Sequence, residues 1–373
     1  MRRLVIIIWL ILAVGITAWP SEKKKKKDRR EEVTQVLELP KEPPAAVVAD
    51  TDRLVFQVSP LSSNGLLSQQ LRDALKWVLR QDRAVTCLRV FVAGTGDTRR
   101  VQTIVSEMFS DKRLALPALS VLQVGGLPQD GAQVLVEAVL RDKRPVNPHG
   151  VAFLSSQSAY VPQPLQPVLP LVDKVSERLR TAIGAAGIAA GDVIHVGCYL
   201  TSLEEIDKAR GLVATRFPQA RLTFVQPLRG ALQSGAACDA VARLSTPARG
   251  ALEFLTPPEF DGPSHSPAVA MVGPGRVAFS SAQLAFGTGD NDARLAFERL
   301  GKSLQQVAAS LDGTALARVY SLSRTVGELA RKAGAGFFAP SRPPAETVMP
   351  FEGLPSIDAS FAVDVIVLLP ETK

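Results

Sequence analysis

From about residue 51 onward the chain alternates between two apolar rhythms, and it does so three times. Short β-type runs open each round at Leu54 to Val58, Val151 to Leu154 and Val277 to Phe279. Each run is followed by a stripe of apolar residues at helical spacing: Leu67, Leu71, Leu75 and Val78; then Val172, Val175, Leu179 and Ile183; then Phe297, Leu300, Leu304, Val307 and Leu311. Asp292 stands where an N-cap would precede the third stripe, and Gly187 and Gly313 stand where helices two and three would stop. A strand-like run comes next in every round, VTCLRVFV at Val85, VIHVGCYLT at Val193 and LARVYSLS at Leu316. A second helix then starts near Asp97, Leu203 and Val326 and ends near Phe109, Phe217 and Phe338, before two closing strands. In those strands the residue after an alanine is followed eighteen positions later by an acid: Leu119 and Glu137, Arg221 and Asp239, Glu346 and Asp364.

A repeat of this kind outweighs any single motif. It predicts units at 51–140 (the most degenerate), 146–246 and 262–370, each ordered strand, helix, strand, helix, strand, strand. That order implies an α+β layer with helices on one face of the sheet, and its other face needs cover. Three open faces packed about one axis satisfy that need, so the expectation is an intrachain pseudo-trimer whose body is monomeric. The three acids are read as outward or interface-facing strand residues.

Composition adds limits. The chain has 373 residues, 46% hydrophobic and 21% charged, which is ordinary for a globular protein. The net charge of +7 is concentrated in residues 1–32, and the remainder holds 34 basic against 32 acidic residues. That balance gives no basic face for phosphate, so no nucleic-acid partner is expected. Cys87, Cys198 and Cys238 lie in apolar runs without a CxxC and read as buried reduced thiols. The histidines, His149, His195 and His265, show no ligand spacing, and no metal or cofactor is expected.

The head changes the picture differently. An apolar stretch from Leu4 to Trp19 lies between Arg2–Arg3 and a lysine-rich run. Residues 1–20 are therefore expected to be a membrane anchor or signal segment, and 21–50 a basic and Pro-rich linker. The charge bias favours an uncleaved anchor with a cytoplasmic body; the alternative is export to the periplasm through a signal peptide.

The second unit, through GVAFLSSQ at Gly150, HVGCYLTSLEEIDKAR at His195 and FPQARLTFV at Phe217, resembles the RidA (YjgF/L-PSP, reactive intermediate deaminase) family. The third is similar through GPSHSPAV, VAFSSAQ and RPPAETV, and the first through its periodicity and LPALSVLQVGGLPQDGAQVLVEAV. The resemblance implies a chorismate-mutase-like trimer fold with ligand clefts between neighbouring units, and hydrolysis of imines and enamines such as 2-aminoacrylate. It puts the carboxylate-binding arginine at Leu119, Arg221 and Glu346, so only the second unit keeps it. The family glutamate falls at Leu135, Ala237 and Ala362, and no unit keeps it. The glycine of the family's S-G-Q turn becomes Ser156 and Ala282, while Gln157 and Gln283 remain.

A positioned proton-transfer group is worth roughly 10² to 10⁴ in rate, and its loss weighs against catalysis. The expectation is thus a degenerate scaffold for a small carboxylate or imino acid, bound by Arg221, Ser156, Gln157 and Thr223, with no catalytic residue identified. The alternative is an active imine/enamine deaminase. An endoribonuclease, a label some relatives carry, has the least support in the charge pattern.

Overall fold

The computed structural model describes residues 40–94, 97–260 and 266–370. In chain order the strands are β1 (Ala46–Asp50), β2 (Leu54–Val58), β3 (Ala84–Ala93), β4 (Ala118–Val124), β5 (Val134–Arg141), β6 (Val151–Val161), β7 (Val193–Leu200), β8 (Arg221–Val225), β9 (Ser234–Arg243), β10 (Leu252–Leu255), β11 (Val269–Val272), β12 (Arg276–Ser280), β13 (Gln283–Phe286), β14 (Thr314–Ser321), β15 (Ala345–Pro350) and β16 (Ala359–Leu368). The helices are α1 (Leu67–Leu79), α2 (Arg99–Asp111), α3 (Leu169–Ala185), α4 (Ile206–Arg216), α5 (Asp290–Gln305) and α6 (Arg324–Gly334).

One strand order occurs three times: β2-β5-β3-β4, β6-β9-β7-β8 and β12-β16-β14-β15. In each, the last pair is parallel, joined through a helix, and the other pairs are antiparallel. Even the irregularities repeat, with register shifts at Val85/Cys87, Val193/His195 and Thr314/Leu316. The fold is α+β, with three units of one strand order along the chain.

The short leading strands depart from that symmetry. β1 pairs with β12 in the third sheet, although it precedes the first unit. β11 pairs with β6 in the second sheet, although it leads into the third unit. These exchanges tie the units together through backbone hydrogen bonds.

Two kinds of core result. Each sheet buries its own helix stripe: Leu71, Leu75 and Val78 in the first unit, Val172, Val175 and Leu179 in the second, Phe297, Leu300 and Leu304 in the third. The opposite sheet faces meet at the centre, where one cluster joins Phe56, Phe153 and Phe279 and another joins Phe91, Tyr199, Tyr320 and Phe351. Both central clusters take residues from all three units.

Helix ends differ from expectation in detail. Gly187 does close α3, at φ +70°, with Ile188 N bonded to Ile183 O at 2.9 Å. The third stripe stops earlier than predicted, because α5 ends at Gln305 and Ala308 turns to φ +57°. Gly313 lies beyond that end, in a short turn of 3₁₀ helix. Asp292 sits inside the first turn of α5, its carboxylate accepting from Gly289 N at 3.0 Å.

Two expectations are corrected. Cys198 and Cys238 are not separate thiols but form a disulfide across β7 and β9, where they are directly opposite in the register. Three scattered positions carried no sign of this pairing, since it depends on strand register. The membrane assignment also fails where it can be examined: among the described residues no helix is long and apolar enough to cross a membrane. The longest, α3, has 17 residues and carries Asp173, Lys174, Glu177, Arg178 and Arg180 on its exposed side. Segment 1–20, to which the anchor and signal readings were attached, lies outside the described residues.

Candidate functional site: an axial polar belt and the seams between units

Between the two central apolar clusters each unit contributes the same three strand positions. The middle strand supplies Arg89, Gly197 and Arg318; opposite them stand Glu137, Asp239 and Asp364; on the parallel neighbour stand Ser120, Thr223 and Thr347. The three acids are 8%, 4% and 5% exposed, so the positions expected to face outward or an interface are buried between units.

Burial of three carboxylates demands partners. In the first unit Arg89 Nε and Nη2 both lie 2.6 Å from Glu137 Oε2, and His195 of the second unit lies 3.2 Å from Oε1. Burial pushes the Glu137 carboxyl up, but Arg89 and then His195 outweigh it and hold the group well below the usual range. In the third unit Asp364 accepts from Tyr320 Oη at 2.8 Å and from Arg318 Nη1 at 3.4 Å. The second unit has Gly197 in place of the arginine. A Cβ on Gly197 would lie 2.8 Å from Asp239 Oδ1, so this glycine makes room for the carboxylate. Asp239 instead accepts from Tyr199 Oη at 3.3 Å and Thr347 Oγ1 at 3.0 Å.

The hydroxyls run round the axis between units. Ser120 donates to Asp364 at 2.7 Å, and Thr347 donates to Asp239. Thr223, the corresponding residue of the second unit, faces Glu137 and helps keep it ionised, but at no ordinary hydrogen-bond geometry. Burial pushes the Tyr199 and Tyr320 hydroxyls up, so both stay protonated donors.

The outer seams differ from one another. Between the second and third units, Ser155 Oγ accepts from Glu346 N at 2.9 Å. Between the third and first, Ser281 Oγ accepts from Leu119 N at 2.9 Å and Ala282 N donates to Leu119 O at 3.1 Å. Among the described residues no serine of the first unit makes the matching bond to Arg221. Ser59 is occupied within its own unit, its Oγ accepting from Val136 N at 3.0 Å.

This seam, joined instead by a backbone bridge between Gly126 and Gln226, holds a cleft of about 270 Å³. Its walls are Val58, Leu61, Leu135, Leu222 and Phe224, with Ser59, Gln129 and the guanidinium of Arg210 supplying polar atoms. Arg210 is exposed and pairs with Asp207 at 3.3 Å.

The four residues singled out in sequence do not converge. Arg221 is exposed at the start of β8, opposite His195, and makes no ion pair with a described residue. Its neighbours Leu222 and Phe224 line the cleft; Arg221 does not, because successive strand residues point to opposite faces. Ser156 and Gln157 lie in β6 beside Ser155, on the seam with Glu346 rather than the seam with Arg221. Thr223 is buried in the axial belt. Glu346 is engaged by Arg331 of its own unit at 3.3 Å and by Ser266 Oγ at 2.5 Å. Arg89, Arg318 and Arg210 went unnoticed in the sequence. The first two carried a signal, an arginine at one offset within two equivalent apolar strands; Arg210 carried none.

No family model matches the chain, and no curated protein does. Solved structures do. A YjgF family member from Neisseria meningitidis is 13% identical over 32% of this chain and 97% of its own, with TM-score 0.24. A member of the same kind of family from Mycobacterium tuberculosis is 16% identical over 32% of this chain and 99% of its own, TM-score 0.24. A chorismatase is 13% identical over 86% of this chain and 99% of its own, TM-score 0.26. The YjgF-type neighbours thus each correspond to about a third of the chain. These identities and scores carry nothing about chemistry.

Proposed function

We propose that the chain is a triple RidA-like scaffold that binds a small carboxylate-bearing molecule at the seam between its first and second units and does not hydrolyse imines. The observation that carries this reading is the composition of the seam cleft. It combines apolar walls with one guanidinium, a pairing suited to a short carbon skeleton ending in a carboxylate. Leu135, at the position the resemblance assigns to the family glutamate, is part of its wall, so no acid there can move a proton. In this reading Arg210 supplies the two-point carboxylate contact and Arg221, exposed on the same seam, adds long-range attraction. Ser156, Gln157 and Thr223 have no part in this cleft.

The test is calorimetric titration of the protein with 2-oxobutyrate and benzoate. Binding that falls at least tenfold in Arg210→Ala and less in Arg221→Ala supports the cleft. The reverse order moves the anchor to Arg221, and no binding to either ligand removes the reading. Ammonia release from freshly generated 2-aminoacrylate, abolished by either substitution, would instead establish the deaminase. The closed set of three units also makes the body a monomer in this proposal, and a stable trimer in light scattering would contradict that.

A further inference from the structure

The first sheet ends one strand short of the other two. In the second and third sheets a leading strand lies against the opening strand, β11 on β6 and β1 on β12. Among the described residues no strand pairs with the outer edge of β2. The path of the chain accounts for the gap. The link 142–150 between β5 and β6 forms no strand and turns at once against the start of β2. Val146 N and Asn147 N donate to Asp52 O at 2.7 and 2.8 Å, and Asn147 Nδ2 donates to Leu54 O at 2.8 Å.

The register shows which groups this leaves open. Ser59 N donates to Val136 O and Asp142 N to Arg53 O, each at 2.8 Å, so the odd-numbered residues of β2 turn their backbone groups towards β5. Leu54, Phe56 and Val58 turn theirs outward, and those of Phe56 and Val58 have no partner among the described residues. Their counterparts are bonded. Phe56, Phe153 and Phe279 stand opposite Val139, Val241 and Ile366, each two residues past the buried acid, which sets Val58 level with Ser155 and Ser281. Ser155 N donates to Ala268 O at 2.9 Å, and Ser281 N to Ala45 O at 2.8 Å. The two serine hydroxyls donate to the carbonyls one residue earlier, Pro267 O and Pro44 O. Burial agrees: Val55 and Gln57 are half-buried, whereas Ala152, Leu154, Ala278 and Ser280 at the same positions are buried.

We propose that the open edge of β2 is a docking site for an extended segment of another protein, which adds to the first sheet the strand that this chain does not supply. The outward N–H and C=O groups of Phe56 and Val58 would bind it main chain to main chain. The sister sheets specify the kind of segment. Both leading strands are entered through Pro-Ala, at Pro44 and Pro267, and continue with small or β-branched side chains to Val47 and Ala270. Asn147 already occupies Leu54 O, so the slot is short and takes about four residues of that pattern. The pairing uses backbone groups and no charge, which separates it from the carboxylate cleft that Val58 also borders.

The probe is a fluorescent peptide of residues 44–48, Pro-Ala-Ala-Val-Val, amidated at its C-terminus and tagged with lysine for solubility, so that it carries no carboxylate. Anisotropy titration with the full chain is expected to show saturable binding. Val58→Pro removes one outward N–H and spares the ladder to β5, because an edge position tolerates proline; it should weaken binding about tenfold. Methylating the peptide nitrogen at Val47 blocks the matching bond to Phe56 O and should weaken binding to the unaltered protein as much, which keeps the test decisive if the variant does not fold. No binding to the full chain overturns the proposal, as does binding that neither change weakens. Self-association of the chain that the peptide reverses gives the slot to a second copy and overturns the choice of partner.

Discussion

The first and second units answer one problem, a carboxylate buried at the molecular axis, in opposite ways. In the first, Glu137 is held by a guanidinium 2.6 Å away and an imidazole on its other side. In the second, the arginine's position is Gly197, and Asp239 folds into the vacated space and relies on two hydroxyls. The third unit combines both devices at Asp364. The comparison teaches that what repeats here is the buried acid, while the means of satisfying it is local. A buried ion pair is weak evidence of net stabilisation, but removing one partner from it is expensive.

Five measurements sharpen that contrast. The largest effect is expected for Glu137→Ala, which strands Arg89 in the interior and should cost about 3–5 kcal/mol in urea unfolding. The companion pH effect has a definite sign. Because the folded-state pKa of Glu137 is depressed, its stabilisation is fully present above about pH 4.5 and is lost as the pH falls below that towards the folded value. Glu137→Gln should flatten this acid limb, and an unchanged limb would assign it to other groups. Tyr320→Phe comes next: it removes a donor to an ionised acid and should cost about 1.5–3 kcal/mol in the same assay. Gly197→Ala, which crowds Asp239, is expected to cost about 1–3 kcal/mol, and a neutral result would show that the carboxylate can shift aside. Arg221→Ala should leave the unfolding midpoint where it is, since this exposed side chain has no ion partner among the described residues; any effect should appear in carboxylate binding alone.

Much of the architecture was legible in the pattern of residues. The stripe through Leu71, Leu75 and Val78 and its two counterparts are the helix faces that pack on the sheets. The eighteen-residue spacing from Leu119 to Glu137, and its two repeats, marks three equivalent strand pairs. The site was less legible. Arg221, Ser156 and Gln157 belong to one unit, and reading them as one site assumed that a unit meets itself. Here clefts form between neighbours, so Ser155 meets Glu346 and leaves Arg221 on a different seam. The acids gave only their spacing, because a carboxylate in an alternating strand can be solvated or buried according to what packs against that face.

Sequence alone determined the local elements, since hydrophobic periodicity acts over a few residues and decides helix or strand before any distant contact forms. It also determined the triplication. Tertiary structure decided which faces meet: that β1 joins the third sheet and β11 the second, that Cys198 pairs with Cys238, that Arg89, Glu137 and His195 converge, and that a cleft forms beside Arg210. Those outcomes depend on contacts between residues separated by tens to hundreds of positions. Periodicity along the chain shows which side of an element is apolar, but not which other element will cover it.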